Sequence, residues 1–79
     1  MTKNELMEAL SYHGWAMKGE DGAWKGDSSI TVYESEALSS EVVVYGGVGL
    51  SFIVPLMTVD IKGNRLTAEW DNNKVEVWI

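Results

Sequence analysis

Few residues in this sequence have the types and spacing for chemistry. His13 is the single histidine, and there is no cysteine. A Cys-His pair is therefore impossible, and the sequence places no Ser-His-Asp arrangement. Ser28, Ser29, Ser39 and Ser40 fall in loop-like segments, which are ordinary places for serine. His13 closes a predicted helix, where a protonated imidazole suits the helix dipole. A capping or packing role is the expectation for it, rather than catalysis by a lone histidine.

Tyr45-Gly46-Gly47-Val48-Gly49-Leu50 is glycine-rich but lacks the Lys-Ser/Thr pair of a phosphate-binding loop and opens no helix. A hairpin turn about Gly46-Gly47 accounts for it, and the two glycines would also admit a second backbone at close range. Asp71-Asn72-Asn73 lacks the glycine and the bidentate glutamate of an EF-hand loop, so it reads as a turn. The spacing of the acids is compatible with a carboxylate pair of the kind that hydrolyses glycosides, but a chain this small offers little room for a sugar-enclosing cleft. No catalytic residue, metal ligand or cofactor site is assigned, and the expectation is that the protein is not an enzyme.

The acids are more informative. Twelve acidic and six basic residues give a net charge of −6. Residues 19 to 41 hold Glu20, Asp21, Asp27, Glu34, Glu36 and Glu41 against Lys25 alone. The rest of the chain is close to balanced. Phosphate contacts need lysine and arginine, so direct binding to nucleic acid or anionic lipid is not expected. The segment reads either as a solvated face that keeps the protein soluble or as a surface complementary to a basic protein. On the second reading Glu20, Asp21, Asp27, Glu34, Glu36 and Glu41 supply charge. Trp24, Tyr33 and Trp78 supply aromatic anchors, the side chains enriched at binding hot spots.

The elements that must position these residues follow from local patterns. Thr2-Lys3-Asn4-Glu5 has the form of a capping box, and Leu6, Ala9, Leu10 and His13 recur on one helical face. Gly14 can end the helix in the left-handed conformation, with Trp15 packing back on Leu10. A helix over about residues 3 to 13 results. Beyond it the period becomes that of strands. Trp15–Met17 and Ala23–Lys25 flank the turn Gly19-Glu20-Asp21-Gly22, and Ile30–Glu34 alternates. Residues 35 to 40 form a connection.

Val42 to Val59 carries no charge, a length near the lower limit for a membrane-spanning helix. Its glycines, Pro55 and many β-branched residues favour two buried strands instead. At the C-terminus, two-residue loops at Gly63-Asn64 and Asn72-Asn73 would form a three-stranded meander. The first sets Ile61 opposite Leu66, Val59 opposite Ala68 and Met57 opposite Trp70. The second sets Trp70 opposite Val75, Ala68 opposite Val77 and Leu66 opposite Ile79. All these pairs are apolar and share one face. Glu69 would oppose Glu76, and Trp78 would lie on the polar face, either covered by another segment or exposed as an anchor.

The fold expected is α+β: a short N-terminal helix on a curved, mainly antiparallel sheet of about five to six strands ending in the meander. Seventy-nine residues make one domain, spanning 1–79. In size and acidity, though in no motif, the chain resembles phage-encoded inhibitors of bacterial defence such as anti-CRISPR proteins, and nuclease immunity proteins share that character. The resemblance implies a small inhibitor that binds a basic nucleic-acid-handling protein and blocks its nucleic-acid surface. A homo-oligomeric structural or adaptor module, built on the apolar stretch and its sheet edge, is the alternative. The expected state is a monomer or homodimer. The absence of cysteine and of a signal-peptide pattern fits a cytoplasmic protein, in the host if phage-encoded.

Overall fold

The capping box forms. In the computed structural model, which describes residues 1–79, helix α1 spans Lys3–Tyr12. The Glu5 amide donates to Thr2 Oγ1 at 3.2 Å, and the Thr2 amide donates to Glu5 Oε1 at 2.8 Å. Two amides that a helix start leaves unpaired are thereby satisfied. The other end closes as a Schellman motif: the Trp15 amide donates to Leu10 O and the Gly14 amide to Ser11 O. Gly14 adopts φ +87°, where glycine has no side chain to clash. Trp15 is buried beside the fully buried Leu10 layer of the core.

Eight strands follow: β1 Ala16–Lys18, β2 Gly22–Lys25, β3 Ser28–Ser35, β4 Ser40–Gly47, β5 Leu50–Pro55, β6 Val59–Lys62, β7 Arg65–Trp70 and β8 Asn73–Trp78. All pairings are antiparallel. They make a five-stranded sheet, β1-β2-β3-β4-β5, and a separate three-stranded sheet, β6-β7-β8. A single 3-10 turn, Leu56–Thr58, joins the two. The α+β architecture and the C-terminal meander are those the sequence predicts.

One core serves all three layers. Leu6, Met7 and Leu10 from α1 meet Ala23, Ile30, Val32, Val43, Tyr45 and Val54 of the larger sheet and Val59, Leu66, Ala68 and Val77 of the smaller. No polar or charged side chain is buried. The burial of so many aliphatic groups, at roughly 25 cal/mol per Å², is the main stabilising term for a chain without disulfides.

The hairpins depart from the sequence reading in three places. First, Gly46 and Gly47 lie inside β4, and the turn is Val48-Gly49, with Gly49 at φ +74°. Gly47 is needed for another reason: a Cβ there would stand 2.8 Å from Tyr45 Oη. The Tyr45 ring folds over Gly47, stacks on Phe52 with centroids 5.0 Å apart, and shares a 3.4 Å hydrogen bond with Ser28 Oγ.

Second, Met57 does not oppose Trp70. It sits in the 3-10 turn and is 79% exposed. The Thr58 hydroxyl donates to Pro55 O at 2.8 Å and closes that turn, so β6 begins only at Val59.

Third, the last hairpin turns on Asp71-Asn72, with φ of 53° and 62°. Positive φ at both central residues is the requirement of a type I′ turn, which asparagine and aspartate tolerate. The register therefore moves by two residues: Leu66 faces Val77, Ala68 faces Val75 and Trp70 faces Asn73. An even shift keeps every side chain on its predicted face. It also replaces the Glu69–Glu76 opposition by Glu69 facing Lys74. Glu76 now accepts from Arg65 at 3.0 Å.

Candidate protein-binding surface

The topology of the five-stranded sheet sorts the candidate residues by its two ends and two faces. The β1–β2 and β3–β4 turns lie at one end, and the β2–β3 and β4–β5 turns at the other. Glu20 and Asp21 occupy the first of these turns, and Glu36 lies between β3 and β4. Glu34 and Glu41 are directly opposed cross-strand neighbours at the same end. Five of the six predicted acids thus share one end. Asp27, in the β2–β3 turn, lies at the opposite end and is separated from them.

All five of these acids are exposed. Like charges opposed across a ladder are unfavourable, so the Glu34–Glu41 pair costs stability rather than adding it. One base enters the cluster. Lys3 Nζ from the first turn of α1 lies 2.6 Å from Asp21 Oδ1, and Glu20 and Glu41 are near enough to act on it as well. The hydrogen bond and charge of Asp21 raise the Lys3 pKa above its usual 10.5. Nothing in the sequence pattern marks that lysine as part of the acidic end. Its place on the capped helix start, far from Asp21 in the chain, gave no local sign of it.

The anchors do not converge on this end as a group. Strand alternation puts Trp24 and Tyr33 on the face of the sheet turned away from α1, whereas Glu34 follows the parity of the core-facing Val32. That outer face has four rows. Ser35 and Ser40 form a short row nearest the acids, and Tyr33, Val42 and Pro55 the next. Lys18, Gly22, Thr31, Val44 and Ile53 form the third row, and Ala16, Trp24, Ser29, Gly46 and Ser51 the last. Trp24, Tyr33 and Ile53 are 51%, 46% and 50% exposed. Val42 is fully buried here yet stands apart from the main core. The outer face therefore has a small apolar centre of its own.

Beside Trp24, Gly22 and the hydroxyl-bearing Ser29 and Thr31 leave a depression of about 390 Å³, with Lys18 on its rim. Gly22 cannot readily be enlarged, since a Cβ would meet Lys18 O at 3.2 Å. Trp78 lies on another surface. It projects from the solvent face of the smaller sheet, 70% exposed, with the Arg65 guanidinium 5.8 Å from its ring centroid. No segment covers it. Its exposure is that of an anchor, but it belongs to a different patch from Trp24 and Tyr33.

His13 is the C-cap of α1. Its amide donates to Ala9 O and Leu10 O, and its carbonyl accepts from Lys25 Nζ at 2.9 Å. Its ring meets Tyr12 edge-on at 5.5 Å. The acids spread along the sheet end rather than converging on a point, and no group of three His, Asp or Glu side chains is placed to hold a metal ion. No helix is long and apolar enough to cross a membrane.

No protein-family model, curated protein or solved structure matches the chain.

Proposed function

We propose that this protein is a non-enzymatic binding module that docks its acidic sheet end on a basic protein surface. The observation that carries this reading is the opposed pair Glu34 and Glu41, gathered with Glu20, Asp21 and Glu36 at one end of the sheet. A fold that keeps like charges face to face forgoes stability there, and a cationic partner relieves the repulsion. Tyr33, one row in from that end, supplies the aromatic contact that slows dissociation. The most concrete form is a stoichiometric inhibitor, of the anti-defence or nuclease-immunity kind. It occupies the positive groove of a nucleic-acid-handling protein and excludes its substrate.

The test is capture of a partner by the tagged chain at about 50 mM and about 500 mM salt, where screening differs severalfold. It is paired with the variant Glu34→Gln/Glu41→Gln and with competition by a nucleic-acid duplex. The expected result is a one-to-one complex at low salt, weakened by high salt and by the double variant, and displaced by the duplex. Capture indifferent to salt and to both substitutions would rule the reading out.

A further inference from the structure

The chain has four sheet edges, and three of them are guarded. Strand β1 has only three residues. On β6, the outward Ile61 amide donates to Asp60 Oδ1 at 2.9 Å, so its neighbour's carboxylate occupies the donor that a foreign strand would need. Strand β8 presents Lys74, Glu76 and Trp78 along its exposed face. Short length, charge and local capping are the usual means of blocking edge pairing.

Strand β5 has none of these, and its one edge guard is Pro55 at its last position. Leu50–Pro55 is six residues long, pairs only with β4, and lies within a stretch from Val42 to Val59 that carries no charge. Gly47 and Leu50 close the two-residue Val48-Gly49 turn and so form a hydrogen-bonded pair. By alternation Leu50, Phe52 and Val54 turn their amides and carbonyls to β4, and Ser51 and Ile53 turn theirs outward. Pro55 also faces outward but has no N–H to give.

We propose that β5 is a homodimer edge, paired antiparallel with β5 of a second copy about a two-fold axis at Phe52. That centre sets Ser51 opposite the partner's Ile53 and Ile53 opposite the partner's Ser51. Both outward donors are used in each copy, and Pro55 falls outside the ladder. Phe52 is half-buried and already stacked on Tyr45. Across the axis it meets the partner's Phe52, extending the aromatic row on the inner face. Ile53, half-exposed on the outer face, gains apolar cover.

Charge selects the occupant. A basic partner would bury cations against an uncharged strand, with no acid to receive them. A copy of β5 brings no charge to the edge, and the five acids gathered at the β1–β2 and β3–β4 end of each copy lie away from its centre. The dimer is isologous, as two-fold contacts require, and presents two acidic ends.

The experiment is sedimentation of the full chain over a dilution series from about 1 mM to about 1 μM, a range that brackets weak to moderate dimers. Amide hydrogen exchange is measured at both extremes. The expected result is a reversible dimer in which the Ser51 and Ile53 amides are protected and lose protection on dilution. Leu50, Phe52 and Val54 stay protected throughout. Ile53→Lys, which adds a charge on an exposed side chain, is expected to weaken dimerisation by about tenfold or more. Trp78→Ala, on the other sheet, is expected to leave it unchanged. A monomer at every concentration overturns the proposal. So does a dimer whose Ser51 and Ile53 amides exchange freely, or one indifferent to Ile53→Lys. Protection of those amides only in complex with a different protein makes the edge a heterologous site and likewise overturns it. The wild-type exchange pattern decides the matter even if Ile53→Lys fails to fold. Partner capture is a separate measurement, so either result can fail alone.

Discussion

Lys3 Nζ and Asp21 Oδ1 lie 2.6 Å apart, joining the first turn of helix α1 to the turn between β1 and β2. Eighteen residues separate them in sequence. The pair links the helix start to the sheet, and it places one cation among acids that otherwise repel one another.

The pair sets an alkaline dependence. The Lys3 pKa is raised in the folded state, first by its hydrogen bond to Asp21 and then by that residue's charge. Its contribution is therefore complete below the unfolded value of 10.5 and lost as pH rises through the raised value. Lys3→Met is expected to lower the melting temperature slightly at neutral pH and low salt. The difference from wild type should shrink above that window and at high salt. Thermal melts across pH and salt check this. Both side chains are solvent-accessible, so the effect is small.

The capping box sets an acid dependence of opposite sign. Hydrogen bonding with the Thr2 backbone, then with its side chain, holds the Glu5 pKa below 4.5. This contribution is present above that value and lost as pH falls through the lowered one. Glu5→Gln is expected to melt earlier than wild type at neutral pH and to converge with it at the acid end. Thr2→Ala, which removes the cap itself, is expected to cost about 1 kcal/mol in chemical denaturation.

The register of the last hairpin is testable by charge. Glu69 faces Lys74 in the observed register. Lys74→Glu is expected to destabilise by about 0.5 kcal/mol, more at low salt. In the alternative register turning on Asn72-Asn73, residue 74 would face Asp71, so Glu69→Lys separates the two: it sets a lysine against Lys74 and destabilises in the observed register, but would set one against Glu76 and stabilise in the alternative. Asn72→Gly is expected to stabilise slightly, because position 72 is at φ 62°.

Gly47 is expected to resist enlargement. A Cβ there collides with the Tyr45 phenol, which the Phe52 ring and the core hold in place. Gly47→Ala is expected to cost about 1–3 kcal/mol, the usual range for overpacking. It should also change the near-ultraviolet dichroism of Tyr45. Gly49→Ala, with open space around it but φ +74°, is expected to cost stability without that spectral change.

The acidic end is expected to trade stability for binding. Glu41→Gln removes half of the opposed pair with Glu34. It should raise the denaturation midpoint by an amount equivalent to about 0.5 kcal/mol while reducing the rate of association with a basic partner. Denaturation and stopped-flow mixing at several salt concentrations measure the two effects side by side. A variant less stable than wild type would contradict the repulsion on which the functional reading rests.

The sequence by itself determined the helix and the faces of the strands. The box Thr2–Glu5, the Gly14 exit and the placement of Trp15 rest on hydrogen bonds between residues three to five apart, so local chemistry sufficed. Side-chain parity along β7 and β8 was legible for the same reason, because it needs only a period of two. The register of that hairpin was not legible. A shift of two residues keeps every apolar side chain inward, so the hydrophobic pattern is blind to it, and the left-handed conformation of Asp71 and Asn72 chose between them. The acidic segment was visible, but its division was not. Which turns share an end depends on how successive hairpins stack, and that placed Asp27 apart from the other five acids. Likewise Trp78 followed its parity to the polar face, and only tertiary packing decided that nothing covers it. Local bonds and periodicity act within a few residues. The meeting of Lys3 with Asp21, the sparsely guarded β5 edge and the exposure of Trp78 are long-range consequences of how two sheets and a helix close over one core.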